Sequence, residues 1–320
     1  MKKWICLIVL AAIIISCKNN NANVPTIGFA DAFEDNTIAQ AKQGFFDALK
    51  KSGFSEDQKT LNVIYRNAQG NIPTLTQIVK YFISEKVTLI ATNPSLSTIT
   101  AVQNTKQIPI FMMVAPTPEL MKVTDAQGAA PSNLFGVGEE LSYIDTSFSL
   151  IPQLIKSKAG ILNVGMLYNQ SEPQSTIALE RIKGLAKKLN VNVVALPVNS
   201  SADVQLVTQS LLNKNIDAFF ANPDNIVFSS FETIIKACNT AKVPVFTSEA
   251  GLVERGAVAA YGADIYQWGY QAGEQAAQFL KTKNIKDLHW ELVKIRKHVY
   301  NEQAAKQFNI NFPDGWTKVK

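Results

Sequence analysis

Short apolar runs alternate with longer amphipathic stretches along almost the whole chain. Ile27-Gly28-Phe29-Ala30-Asp31 reads as a strand, followed by a polar loop at Glu34-Asp35-Asn36. The stretch from Ile38 to Lys51 then places Ile38, Ala41, Phe45 and Ala48 on one helical face. Far downstream the same order returns. Val164-Gly165-Met166-Leu167-Tyr168 reads as a strand and Asn169-Gln170-Ser171-Glu172-Pro173 as its loop, and a helix to Leu189 aligns Ala178, Ile182, Leu185 and Leu189. Leu61 to Tyr65 leads into Asn67 as Val191 to Val198 leads into Asn199. Val87 to Ala91 ends in Asn93-Pro94-Ser95 as Ile216 to Ala221 ends in Asn222-Pro223-Asp224. The segment Lys106 to Phe111 parallels Ala241 to Phe246. Helices over Thr74 to Ser84 and Val204 to Leu212 precede the two Asn-Pro strands. Short strands alternating with longer helices predict right-handed βαβ units and parallel sheets. The expected fold is therefore α/β, with two doubly wound parallel-sheet domains and a cleft between them.

The C-terminal part belongs to neither repeat. Val258 to Gly262 reads as a strand and Ile265 to Lys281 as a helix with Trp268, Ala272, Gln275 and Phe279 in a row. Leu292 to Arg296 reads as a late strand and Gln303 to Phe308 as a short final helix. A segment this long can revisit the first lobe. The expected division is residues 25–137 plus about 263–288 for the N-terminal lobe, and 138–262 plus about 289–320 for the C-terminal lobe. Several crossings between lobes would form a hinge that permits rigid-body closure on a ligand.

The N-terminus reads as a targeting segment. Lys2 and Lys3 precede the apolar run Trp4 to Ile15, which is short for a membrane span. Ile14-Ile15-Ser16-Cys17 looks like a bacterial lipobox, which implies a signal peptide over residues 1–16 and a lipidated Cys17. An ordinary signal peptide with a chance cysteine is the alternative reading. The Asn-rich residues 17–24 then form a tether. This predicts an exported chain anchored on the periplasmic or extracellular face of a membrane. About 300 residues remain, which suits two domains. The formal charge of +5 is scattered, with no arginine-rich stripe, which argues against nucleic acid as a partner. Once Cys6 and Cys17 are set aside, Cys238 stands alone among apolar helix positions and reads as a small buried hydrophobe.

Four local motifs carry a family resemblance: Asn67-Ala68-Gln69-Gly70, Thr92-Asn93-Pro94-Ser95, Tyr168-Asn169-Gln170-Ser171-Glu172 and Asn222-Pro223-Asp224-Asn225. Asn133-Leu134-Phe135-Gly136-Val137 and Gly256-Ala257 followed by Tyr261-Gly262 add to it. In this order they resemble the ABC-transporter substrate-binding proteins of the tryptophan/tyrosine-type class, which have the type I periplasmic-binding fold. The resemblance implies a small-molecule ligand, most simply an amino acid and an aromatic one among the candidates, and permease and ATPase subunits as partners. One departure stands out. Where that family has an acidic turn after a strand, this chain has Val114-Ala115-Pro116-Thr117-Pro118.

In open α/β sheets, ligands collect outside the carboxyl ends of the strands. Loops after Phe29, Tyr65, Ala91, Leu167, Ala221 and Phe246 occupy those ends. The candidate ligand-binding set drawn from them is Phe33, Asn67, Thr92, Ser95, Tyr168, Ser171, Glu172, Asp224, Asn225 and Glu249. Ser95 precedes a helix N-terminus, which favours an anion. Asp224 occupies the equivalent place in the second half, with Glu172 in the neighbouring loop, and the two suit an ammonium. A zwitterion would fit both walls. Bland roles compete: Ser95 and Asp224 as helix caps, Asn67 as a turn residue with Gly70, Tyr168 and Phe33 as loop packing, Glu34 and Asp35 as solvated charges, Trp268 and Trp290 as core or hinge packing.

His289 and His298 lie away from these loops, and there is no Walker loop. Gly136-Val137-Gly138 does not complete a dinucleotide fingerprint. The expectation is a binding protein without a metal, a cofactor or catalysis. Its role is the lipid-anchored component of an ABC importer. A ligand-sensing receptor of the same fold that signals to a kinase or chemoreceptor, or a binder of a sugar or nucleoside, remains the alternative.

Overall fold

The computed structural model describes residues 24–157 and 160–319. The targeting segment and Cys17 lie outside them. In the first lobe, β1 (Thr26–Asp31), β2 (Asn62–Asn67), β3 (Leu89–Asn93), β4 (Ile110–Pro116) and β5 (Leu134–Glu139) are joined through α1 (Asn36–Lys51), α2 (Ile72–Ser84) and α3 (Ser95–Asn104). With a late strand, β11 (Glu291–Leu292), they form a parallel sheet of order β2-β1-β3-β4-β5-β11.

The second lobe opens with α4 (Tyr143–Leu154). It continues through β6 (Leu162–Tyr168), α5 (Pro173–Leu189), β7 (Val191–Pro197), α6 (Val204–Leu212), β8 (Ala218–Ala221), α7 (Asn225–Ser229), α8 (Phe231–Thr240), β9 (Val245–Thr247), α9 (Ala250–Glu254) and β10 (Ala259–Ala263). Its parallel sheet runs β7-β6-β8-β9, and the Val258 N–H donates to the Val245 carbonyl to bring β10 alongside. Both lobes thus wind in the same order, which is what the repeated sequence pattern requires.

Sheets buried on both faces need apolar side chains pointing both ways. In the first lobe Ile90 and Met112 face Leu75, Val79 and Phe82 of α2, while Leu89 and Phe111 face Phe45 of α1. The second of these faces is completed from far along the chain by α10 (Ile265–Thr282). Its approach to α1 is close enough to exclude side chains. A Cβ on Gly269 would sit 1.8 Å from the Ala41 carbonyl oxygen, and one on Gly44 would sit 2.0 Å from that of Tyr266.

After α10 and β11 the chain returns to the second lobe as β12 (Arg296–Asn301), α11 (Glu302–Phe308) and β13 (Thr317–Val319). β12 pairs antiparallel with β10 and parallel with β13, a small mixed sheet that the α/β alternation does not announce. The strand expected over Leu292 to Arg296 is therefore divided. Leu292 pairs with Gly138 in the first lobe and Arg296 with Ala263 in the second, so the ladder cannot run through the residues that cross between lobes.

Three crossings link the lobes, at residues 139–143, 263–265 and 292–296. They are tied to each other. Arg296 grips Glu139 with two hydrogen bonds of 2.5 and 3.1 Å, the Asp264 N–H donates to the Ile295 carbonyl, and Lys297 pairs with Asp264. Among the described residues no helix is long and apolar enough to cross a membrane.

Candidate functional site

The carboxyl ends of both sheets face each other across the lobe boundary and enclose a cavity. The space measures about 480 Å³ with its mouth included. Its first-lobe wall is built from Ile38 of α1, Pro94 and Ser95 at the start of α3, Val114, Ala115 and Pro116 of β4, and Glu139. Leu141 and Tyr143 contribute from the first crossing, Gln174, Pro223, Asp224, Asn225, Phe228 and Glu249 from the second lobe, and Trp268 of α10 closes one side. Val114 has φ +49°, a left-handed conformation rare for a β-branched residue, where the β4–β5 register slips between Met112 and Ala115. That irregularity turns an apolar stretch toward the cavity at the position where the resembled family would carry an acid.

Four of the ten candidate residues line this cavity: Ser95, Asp224, Asn225 and Glu249. Phe33, Ser171 and Glu172 border a neighbouring groove between the lobes, which also reaches Asn225. Asn67, Thr92 and Tyr168 line neither. Asn67 closes a turn by accepting from the Gln69 N–H at 2.7 Å. Thr92 is fully buried against Thr98, and Tyr168 packs on the second-lobe core.

Asp224 occupies the first turn of α7 as its cap. Oδ1 accepts from the N–H groups of Ile226 and Val227, and Oδ2 from the Asn169 N–H and the Ser175 hydroxyl. All its acceptor positions are engaged within the protein. Glu172 is engaged on both oxygens: Oε1 accepts from Asn169 Nδ2, and Oε2 from Gln174 Nε2 and from the side-chain and backbone nitrogens of Asn225. Burial and the nearby Asp224 charge hold the Glu172 carboxyl well above the usual carboxylate range. Ser95 is not a cap. Its Oγ accepts from Asn225 Nδ2 at 3.0 Å and from Gln174 Nε2 at 3.3 Å, contacts that join the two lobes.

Further carboxylates stand on the cavity wall. Glu249 Oε1 accepts from the Tyr143 hydroxyl at 2.5 Å and from Ser248 Oγ, and burial pushes its pKa up to about 7. Burial also pushes Glu139 up to about 7 against the pull of Arg296. Glu139, Tyr143 and Gln174 escape the sequence reading because β5, α4 and α5 enter the site from their ends. Extending the strand-end rule to β5 would have found Glu139, the last residue of that strand. Trp268 unites the roles weighed for it: its indole N–H donates to the Val137 carbonyl at 2.8 Å while the ring lines the cavity.

Asp35 is not a solvated charge. It is buried, caps α1 through Thr37 and Ile38, and meets Arg255 of the second lobe, whereas its neighbour Glu34 is exposed. With Gln40 donating to Glu254 and Gln174 to Ser95, side chains of the two lobes hold each other across the closed boundary.

Two similar α/β lobes, three tied crossings and a cavity shut between strand ends define a two-lobed binding protein. The chain belongs to the ABC transporter substrate binding protein family, whose model matches residues 26–319. It is a substrate-binding protein of an ABC transporter system, extracytoplasmic as such proteins are, and not an enzyme. It is 31% identical over 294 residues to a tyrosine-binding protein of Clostridioides difficile, covering 92% of this chain and 83% of that one. A conserved domain protein of Vibrio cholerae superposes with a TM-score of 0.81 at 29% identity, over 93% of this chain and 100% of the other. A Streptococcus pneumoniae ABC domain in complex with L-Trp gives 0.82 at 22% identity, over 92% and 99% of the two chains. A ligand-free, open substrate binding protein from Clostridium difficile gives 0.67 at 28% identity, over 93% and 100%. The lower score against the open structure fits the closed lobes described above.

Proposed function

We propose that this chain captures a free amino acid with an aromatic side chain and hands it to the permease and ATPase subunits of an importer, held at the membrane by lipid on Cys17. The composition of the cavity wall carries this reading. Two buried carboxylates, Glu139 and Glu249, line it beside the fully occupied Asp224, with no lysine, arginine or histidine among the lining residues. One guanidinium, Arg296, stands behind Glu139. A site with this surplus of acid favours an ammonium group. The ten-residue helix α3 begins at Ser95 without a side-chain cap, which leaves its positive end to a carboxylate. Ile38, Val114, Ala115, Pro116, Leu141, Phe228 and Trp268 supply the apolar surface an aromatic ring would cover. The names of the tyrosine-binding relative and of the L-Trp complex support the same ligand class.

The test is a thermal-shift screen of the chain from residue 18 onward, unfolded and refolded to strip any carried ligand, against amino acids, sugars and nucleosides. A ligand at 100 times its dissociation constant stabilises the native state by about 2.7 kcal/mol. Selective shifts with L-tyrosine or L-tryptophan are expected. A shift with sugars or nucleosides alone would sink the amino-acid assignment. Mass spectrometry of the exported protein checks the lipid on Cys17, which should vanish in Cys17→Ser.

A further inference from the structure

The carboxylates that the sequence offers for a ligand ammonium, Asp224 and Glu172, already have both oxygens engaged by the protein. Gln174, next to both, is in the opposite condition. It is 5% exposed and lines the cavity. Its Nε2 donates to Glu172 Oε2 at 2.7 Å and to Ser95 Oγ at 3.3 Å. Those two contacts set which way the amide faces: its nitrogen is turned to Glu172 Oε2 and Ser95 Oγ, two oxygens that also accept from Asn225 Nδ2. Its Oε1 is then a buried acceptor without a partner. Of the buried side-chain atoms in that condition among the described residues, it alone belongs to a cavity-lining residue. Leaving such an atom unmatched is costly, and a hydrogen supplied by a ligand would remove the cost.

The geometry points to Gln174 as a specificity-determining ligand contact whose Oε1 accepts a hydrogen bond from the α-ammonium of the bound amino acid. This rests on the amino-acid reading and deepens it. In an α-amino acid the ammonium and carboxylate hang from the same carbon. A carboxylate held at the α3 N-terminus therefore brings the ammonium beside Ser95, which is where Gln174 is moored. The Ser95 contact exists only while the lobes are together, so the acceptor is in position only in the closed state. Recognition of the amine and closure are thereby one event: an acid lacking the amine leaves Oε1 unmatched on closing.

The test is a two-by-two comparison by isothermal titration calorimetry. Wild type and Gln174→Met are titrated with L-tyrosine and with 3-(4-hydroxyphenyl)propionate, which is the same molecule without its amine. Gln174→Met removes the moorings to Glu172 and Ser95 for both ligands equally, so only the difference between ligands reports on Oε1. The expected result is a loss of about tenfold to a hundredfold for L-tyrosine beyond the loss for the desamino acid. Equal losses for the two ligands, or none, would overturn the assignment and leave the amino-acid reading standing. Absence of wild-type binding to L-tyrosine would remove both. Should the desamino acid alone fail to bind, or Gln174→Met fail to fold, a crystal structure of the wild-type L-tyrosine complex decides. An amino nitrogen within about 3.2 Å of Oε1 supports the contact, and one beyond hydrogen-bond reach refutes it.

Discussion

Arg255 of the second lobe meets Asp35 of the first at 2.5 Å, and its remaining guanidinium nitrogens are held by Glu232 of its own lobe. Asp35 is itself the cap of α1, so the contact joins a helix start in one lobe to a positioned cation in the other. It exists only when the lobes are closed, which makes it a latch. Arg255→Met should weaken ligand binding by about 1.5–3 kcal/mol, the range for hydrogen bonds to charged groups. Small-angle scattering should show a more expanded ligand-free molecule. Unchanged affinity and size would make the pair a bystander of closure.

The acidic wall predicts a pH dependence. Glu139 and Glu249 titrate near 7 because burial disfavours their charge, and Tyr143, Ser248 and Arg296 are the groups bonded to them. A carboxyl raised above its ordinary value of 4.5 holds its proton more tightly in the folded protein than in the unfolded chain. The ligand-free protein should therefore lose stability as pH rises from about 4.5 to about 7. Binding of an ammonium needs the ionised form, so affinity should move the other way. With one such proton displaced, the dissociation constant should be about tenfold weaker at pH 6 than at pH 8. Glu249→Gln should flatten that profile and cost about 2–5 kcal/mol of binding. A profile of unchanged steepness in this variant would move the titration elsewhere.

Asp224 makes a contrasting prediction. Asp224→Ala leaves the first turn of α7, the Asn169 N–H and the Ser175 hydroxyl without their acceptor. It should lower stability by about 2–4 kcal/mol, a lost cap together with stranded donors. Its effect on affinity should be alike for L-tyrosine and for the desamino acid. A loss confined to the amine-bearing ligand would return Asp224 to the ammonium.

Two midhelix glycines give the packing test. Gly44 and Gly269 let α1 and α10 touch backbone to backbone, although glycine weakens either helix in isolation. Gly269→Ala should destabilise the protein by about 1–3 kcal/mol through overpacking. A raised melting temperature would show that the helices separate freely and that propensity decides.

Much of this architecture is legible in the chain because local chemistry repeats. The paired Asn-Pro motifs mark the ends of β3 and β8, and the apolar faces of α1 and α10 follow helical spacing. The polar centre is harder to read. Glu139 and Arg296 lie 157 positions apart, and Tyr143 and Glu249 lie 106 apart. No local pattern announces such pairs. Asp224 and Glu172 were visible as acids at strand ends. Their hydrogen-bond occupancy, which decides what they can still accept, depends on Asn169, Ser175 and Asn225 converging from separate loops. Gln174 is the reverse case: a plain amide at a helix start whose importance appears only when its partners are counted.

The outermost strand of the first sheet and the long helix beneath it are both drawn from residues beyond Asp264. During synthesis, the opening lobe must therefore wait, its α1 face uncovered, until the second lobe has emerged as far as β10. Its core is closed by pairing distant parts of the chain, a late and non-local step. A truncation within α10 should leave the first lobe unable to hold its fold, while the second lobe, though it loses β12, α11 and β13, keeps its own central sheet.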